Sequence, residues 1–309
     1  MRRLVATSTT RRVSQDFWQS QLVSSIFNPK PVMTIDSHQH FWRYTAASYP
    51  WMTDKLASLR RDYLPEDLAP LLKQTGLDGC VAVQAQQTVA EARWLLSLTD
   101  AHPFIKGVVG WVDLQSDRVE EQLAELARHP RFVGVRHVVQ DEPDNNFMLR
   151  PAFQRGIGKL RQFNLAYDIL VFPKQLPASI QLAANFPEQR FVLDHIAKPF
   201  IRDGTISPWS EQIRELAKAP NVWCKVSGMI TEAKWTGWRA EDFRPYLDVV
   251  FEAFGVERLM FGTDWPVATL AGTYQEVHQL AASYVRNLTA EQQARFFGGS
   301  ATEFYRLRA

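Results

Sequence analysis

From Met33 onward, short apolar runs rich in β-branched residues alternate with segments of helical periodicity. The strand candidates are 34–41, 80–85, 107–112, 133–138, 166–171, 191–196, 222–226 and 259–262. Between them lie helix-patterned stretches at 90–101, 118–128, 151–163, 177–184, 208–218 and 244–254, and a helical tail over 273–306. Strands that each hand over to a helix predict an α/β chain with a parallel sheet and helices outside it. Eight such units at this length match one closed (β/α)8 barrel, a TIM barrel. An open doubly wound sheet would carry G-x-G-x-x-G after its first strand. Asp36-Ser37-His38-Gln39-His40 stands there instead.

The first 32 residues follow a different rule. They are rich in Arg, Ser and Thr, carry five basic residues against the single Asp16, and contain no apolar stretch of secretory length. They read as a disordered leader, or as an artefact of start-site choice with Met33 as the true start. Residues 33–309 read as a single catalytic barrel. With 35 basic and 33 acidic residues overall, that body has no basic excess for a phosphate backbone, so nucleic acid is not an expected partner. No apolar run is long enough to span a bilayer. Cys80 and Cys224 each sit in an apolar run without a C-x-x-C, which suits a reducing compartment and excludes a thiolate zinc site. Self-association stays open.

In a parallel barrel the active site lies at the C-terminal ends of the strands. Four of the seven histidines fall at strand ends: His38, His40, His137 and His195. His102 and His129 end helices before a proline, where they favour the helix C-terminus, and His278 lies in a late helix. His38 and His40, two apart on a strand, project to one face about 6–7 Å apart and could converge on a cation. Asp36 and Trp42 are expected on that same face. His195 is expected to point inward, with the preceding Asp194 alternating outward. Asp264 follows an apolar strand adjacent to the first when the barrel closes, which would set it beside His38 and His40. It is the candidate general base. His38, His40, His195 and Asp264 together form an imidazole-and-oxygen set suited to one divalent metal, Zn or Mn by its chemistry. The same imidazoles could act without metal as donors to an oxyanion. Around the rim, Trp42, Gln86, Trp111, Arg136, His137 and Trp265 are the substrate-binding candidates, with Gln84 and Asp113 as alternatives to their neighbours and Asp168, Lys225 or Ser227 as further ones. The blander alternatives are a chance H-x-H, a structural Asp194–His195 pair, and Asp264 as a helix cap.

These residues carry a resemblance. Ile35-Asp36-Ser37-His38-Gln39-His40-Phe41-Trp42, Leu193-Asp194-His195-Ile196-Ala197-Lys198-Pro199 and Phe261-Gly262-Thr263-Asp264-Trp265-Pro266 resemble the amidohydrolase superfamily. More narrowly, they resemble its sugar-lactonase branch, of the L-fuconolactonase and L-rhamnonolactonase type. The likeness extends from Met33 to the C-terminus. It implies a distorted (β/α)8 barrel of the amidohydrolase type that opens an aldonolactone ring by Asp-assisted attack of water. It matches His38, His40, His195 and Asp264 to the metal positions, with Asp264 and His195 catalytic. The bridging Lys or Glu that many superfamily members carry on strand four is replaced here by Arg136, which stays protonated. That leaves one metal, Zn by preference, or none. The implied partner is a small sugar lactone, within cytoplasmic carbohydrate metabolism. The rival readings are a metal-dependent decarboxylase of the same superfamily and a non-catalytic barrel.

Overall fold

The computed structural model describes residues 33–308; the expectation for residues 1–32 lies outside them. Eight strands form one parallel sheet in sequence order: β1 Ile35–Gln39, β2 Gly79–Val83, β3 Ile105–Gly110, β4 Phe132–His137, β5 Ala166–Ile169, β6 Phe191–Leu193, β7 Val222–Val226 and β8 Leu259–Phe261. The intervening helices are α1 Pro65–Thr75, α2 Val89–Ala101, α3 Val119–Leu126, α4 Pro151–Leu160, α5 Leu176–Asn185, α6 Trp209–Ala217, α7 Met229–Glu232 and α8 Ala240–Phe254. After β8 come α9 Tyr274–Val285, α10 Ala290–Ala294 and α11 Ser300–Tyr305. The predicted helical tail is thus three helices, interrupted by a π-turn at Arg295–Gly299.

The sheet closes into a nearly complete barrel where residues after β8 bond β1. The Asp264 N–H donates to the His38 carbonyl (2.8 Å), and the His40 N–H donates to the Trp265 carbonyl (2.7 Å). Asp36 clasps the same seam from outside the barrel. Its carboxylate accepts from the N–H and hydroxyl of Thr263 (3.0 and 2.5 Å), the Tyr274 hydroxyl of α9 (2.9 Å) and the His38 N–H (3.1 Å). Burial pushes Asp36 up to about 6, against the lowering effect of these bonds. This corrects the expectation that Asp36 shares the face of His38 and His40. The β1–β2 register shifts between Asp36 and Gln39, and such an irregularity breaks strict alternation.

Inside the barrel, Ile35, Val81, Val109, Val192 and Met260 form the lowest apolar layer. Phe304, Tyr305 and Leu307 of the C-terminal segment pack against it and stop the N-terminal mouth. The remaining strand faces pack outward on the helices.

Candidate active site

Above the apolar plug lies a layer of buried charge. On β5 and β7, and from β6 into the residue that follows it, an apolar inward residue lies below and a polar one above: Ala166 and Asp168, Trp223 and Lys225, Val192 and Asp194. β4 contributes Arg136 to the same layer. Lys225 Nζ reaches Asp168 (2.6 Å) and Asp194 (3.1 Å). Arg136 Nη1 reaches the other Asp194 oxygen (3.2 Å). The Tyr305 hydroxyl donates to Asp168 (2.7 Å) from below. Burial opposes the charge of Asp194, but Lys225 and Arg136 hold it below the usual carboxylate range. Charges this deep are tolerated because each finds an opposite partner.

Asp194 therefore points inward, contrary to the alternation argument. The strand ends at Leu193, and His195, Ile196, Ala197 and Lys198 all follow with positive φ (54°, 48°, 61° and 49°). This left-handed turn lets Asp194 and His195 both face the barrel axis.

The three imidazoles converge on one carboxylate oxygen. Asp264 Oδ1 lies 3.2 Å from His40 Nε2, 3.8 Å from His195 Nε2 and 3.9 Å from His38 Nε2. Each Nδ1 has its own partner: the Val83 carbonyl for His40 (2.8 Å), the Ser227 hydroxyl for His195 (2.9 Å), and Asp194 near His38 (3.3 Å). Tying down one ring nitrogen sets which way the other faces. His38 Nε2 also faces Arg136 Nη1 (3.2 Å), and Lys225 Nζ is 3.2 Å from its Nδ1. Burial first, then these cations and His40, drive His38 well below the ordinary histidine range. Burial does the same to His195, against the opposing pull of Asp264. Asp264 is disfavoured by burial, yet His195 and the hydrogen bond with His40 leave it below the usual carboxylate range. The result is two neutral imidazoles around an ionised carboxylate.

These residues fit a divalent ion. The ligand atoms of His38, His40 and Asp264 lie within 4.8 Å of one another. His195 presents its own Nε2 to Asp264, and oriented imidazoles with a carboxylate suit such an ion.

A cavity of about 620 Å³ opens over this cluster and is lined by His40, His195, Asp264, Arg136 and Lys198. Its far wall is the segment after β1, with Ser48, Pro50, Trp51 and Leu56, and the loop after β2, with Gln84 to Thr88. Of the substrate-binding candidates, Trp42, Gln86 and Arg136 line it. Gln86 Nε2 donates across to the Ser48 carbonyl (2.7 Å). Trp111, His137 and Trp265 do not line it. The Trp111 indole donates to His137 (3.3 Å), which pairs with Glu142 (2.7 Å). Trp265 packs edge-on to Phe41 and Tyr63 in the core beneath. Sequence reasoning overlooked Glu91, whose buried carboxylate on α2 accepts the Ala85 and Gln86 N–H groups and pins the β2 loop. It also overlooked Lys198 and the Tyr305 plug. Glu91 had a legible signal, an acid in a helix first turn behind a Thr88 cap.

An eight-stranded barrel with an imidazole–carboxylate cluster over its C-terminal strand ends defines a class, and similarity to known proteins agrees with it. A family model described as amidohydrolase matches residues 35–307. The chain belongs to that family. A relative from Burkholderia multivorans named L-fucono-1,5-lactonase is 43% identical over 286 residues, which is 89% of this chain and 96% of the relative. One of the same name from Burkholderia ambifaria is 39% identical over 279 residues, 88% of this chain and 95% of the relative. A crystal structure of a Burkholderia multivorans amidohydrolase with bound zinc superposes with a TM-score of 0.86. It shares 42% identity and covers 89% of this chain and 100% of its own.

Proposed function

We propose that this enzyme hydrolyses a sugar 1,5-lactone of the L-fucono-1,5-lactone type. The observation that carries the reading is the convergence of three imidazoles on Asp264 Oδ1 at the floor of the cavity. The two relatives that bear the lactonase name support it. Lactone opening needs a water oriented against a carbonyl carbon, an acceptor for its proton, and donors for the oxyanion that forms. Asp264, ionised and held by His40, orients the water and takes its proton. The ring nitrogens of His40 and His195 face the same space, and Arg136 lines the wall beside them. Donors fixed before the reaction stabilise developing charge without reorganisation, which is the largest usual contribution to such catalysis. One divalent ion, zinc by the chemistry of the donor set, would be held by His38, His40, His195 and Asp264. When bound, it polarises the carbonyl or lowers the pKa of water. Gln86 and Trp42 serve as substrate-binding residues from the cavity wall. Trp111, His137 and Trp265 would act only through the residues they support. The free, buried Cys80 and Cys224 favour a reducing, cytoplasmic setting.

The decarboxylase reading fares less well. Its aromatic carboxylate substrates call for free arginines. Arg136 already spends its Nη groups on Asp194, His38 and the Gln84 carbonyl.

The test is a proton-release assay on L-fucono-1,5-lactone and L-rhamnonolactone, with metal content read by mass spectrometry on the same sample. Asp264→Asn should cut kcat by ~10³-fold. Turnover of a carboxylated aromatic with no lactone opening would reverse the assignment.

A further inference from the structure

We propose that Lys198 carries the negative charge of the departing ring oxygen when the lactone opens. This rests on the lactonase reading. Hydrolysis creates negative charge at two oxygens in turn, the carbonyl oxygen of the tetrahedral intermediate and then the ring oxygen as its bond to carbon breaks. The histidines serve the first. Nothing assigned so far serves the second.

Lys198 lines the same cavity as His40, His195 and Asp264. Its side chain is 16% exposed. Among the described residues, no hydrogen-bond acceptor takes its Nζ, and the carboxylate paired with it, Glu232, stands off at 3.8 Å. The two buried cations of the layer below differ. Arg136 is held by Asp194 and the Gln84 carbonyl, and Lys225 by Asp168 at 2.6 Å. Lys198 is the cavity cation whose N–H donors are still available.

The backbone adds an independent observation. Lys198 closes the left-handed turn, its N–H donating to the His195 carbonyl (2.8 Å). Four consecutive non-glycine residues hold positive φ, a conformation in which each Cβ crowds the following carbonyl oxygen. Strain of this kind persists where the surroundings enforce it, and it clusters at sites of chemistry. Here one turn sets His195 and Lys198 on the same cavity.

In the proposed sequence, water adds to the carbonyl carbon and gives a proton to Asp264. The tetrahedral intermediate collapses, the carbon–ring-oxygen bond breaks, and its electron pair stays on the ring oxygen. An N–H of the Lys198 ammonium hydrogen-bonds that alkoxide. The alkoxide then takes the proton that Asp264 accepted, giving the free hydroxyl, and Lys198 keeps its own protons throughout.

The experiment compares L-fucono-1,5-lactone with its 5-thio analogue, in which a thiolate leaves. A thiol of ordinary pKa ~8.5 needs far less help to depart than an alkoxide. Lys198→Met should lower kcat on the oxygen lactone by ~10²-fold, the scale seen when one oxyanion donor is removed, with KM within ~3-fold. The defect should nearly vanish on the thiolactone, and Lys198→Arg, which keeps the charge, should recover most of the rate. Lys198→Gln repeats the comparison should the Met variant fold poorly, with circular dichroism as the check. An equal kcat loss on both substrates would place Lys198 at the carbonyl oxygen, and a change in KM alone would make it a binding residue. Either result overturns the proposal. Wild-type enzyme that opens neither substrate would instead overturn the lactonase reading.

Discussion

Gly228 shows how tightly the site is set at the level of single residues. It has φ +61°, a conformation side chains resist, and a Cβ built there would lie 2.5 Å from His195 Nδ1. Gly262 likewise leaves room for His38, whose Cβ would be 2.8 Å from an added one. These glycines let His195 and His38 approach the backbone beyond β7 and β8 more closely than a side chain there would allow. Gly228→Ala must push the His195 ring away from Asp264. Misplacement of a catalytic group by about 1 Å can cost ~10²-fold in rate. We expect a kcat loss of that order, with a thermal midpoint only modestly lowered, measured by steady-state kinetics beside a melting curve. Unchanged kcat would mean that His195 does not depend on this cradle.

Among the elements, the seam between β1 and β8 and the loop after β2 are both held by buried acids. At the seam, Asp36→Ala would strand the Thr263 N–H, the His38 N–H and the Tyr274 hydroxyl. A buried unsatisfied group costs ~1–3 kcal/mol. The substitution should therefore remove at least ~3 kcal/mol of stability by chemical denaturation. At the loop, burial pushes Glu91 up to about 8, against the lowering effect of the Gln86 and Ala85 N–H bonds. The folded state then holds a proton that the unfolded chain releases above its ordinary pKa of 4.5. Stability from this residue is complete below that value and is lost as pH rises toward about 8. Glu91→Gln, isosteric with the protonated acid, should flatten the decline between those limits in a series of unfolding curves. An unchanged slope would assign the decline to other groups.

Taken whole, the barrel is two stacked media, an apolar plug below and a charged layer above, joined by Tyr305. Its hydroxyl donates to Asp168, which pairs with Lys225, which in turn reaches Asp194 and His38. Tyr305→Phe removes one hydrogen bond to a buried charged group and should cost ~1.5–3 kcal/mol. Removal of residues 300–309 would uncover Ile35, Val81, Val109 and Val192 at the barrel mouth. The truncated chain should fail to fold, as judged by soluble yield and near-ultraviolet dichroism.

Much of this architecture is written in local pattern. Eight apolar runs alternating with helices imply the parallel barrel, because strand and helix periodicities and short connections depend on near neighbours alone. The four residues His38, His40, His195 and Asp264 stand out because polar groups at strand ends are costly without a purpose. Alternation failed where backbone geometry departs from a regular strand. The register shift on β1, after Asp36, put His38 and Asp36 on opposite faces, and the left-handed turn after β6 turned Asp194 inward. Neither leaves a mark in a two-residue period. The aromatic candidates Trp111, His137 and Trp265 were indistinguishable in sequence from Trp42, because a ring flanking a pocket and a ring supporting it have the same composition. Lys225 and Asp168 meet across 57 residues, and Tyr305 and Asp168 across 137. Which buried charge finds which partner was decided only when the barrel closed, since that pairing depends on distance through space and on the loss of water around both groups.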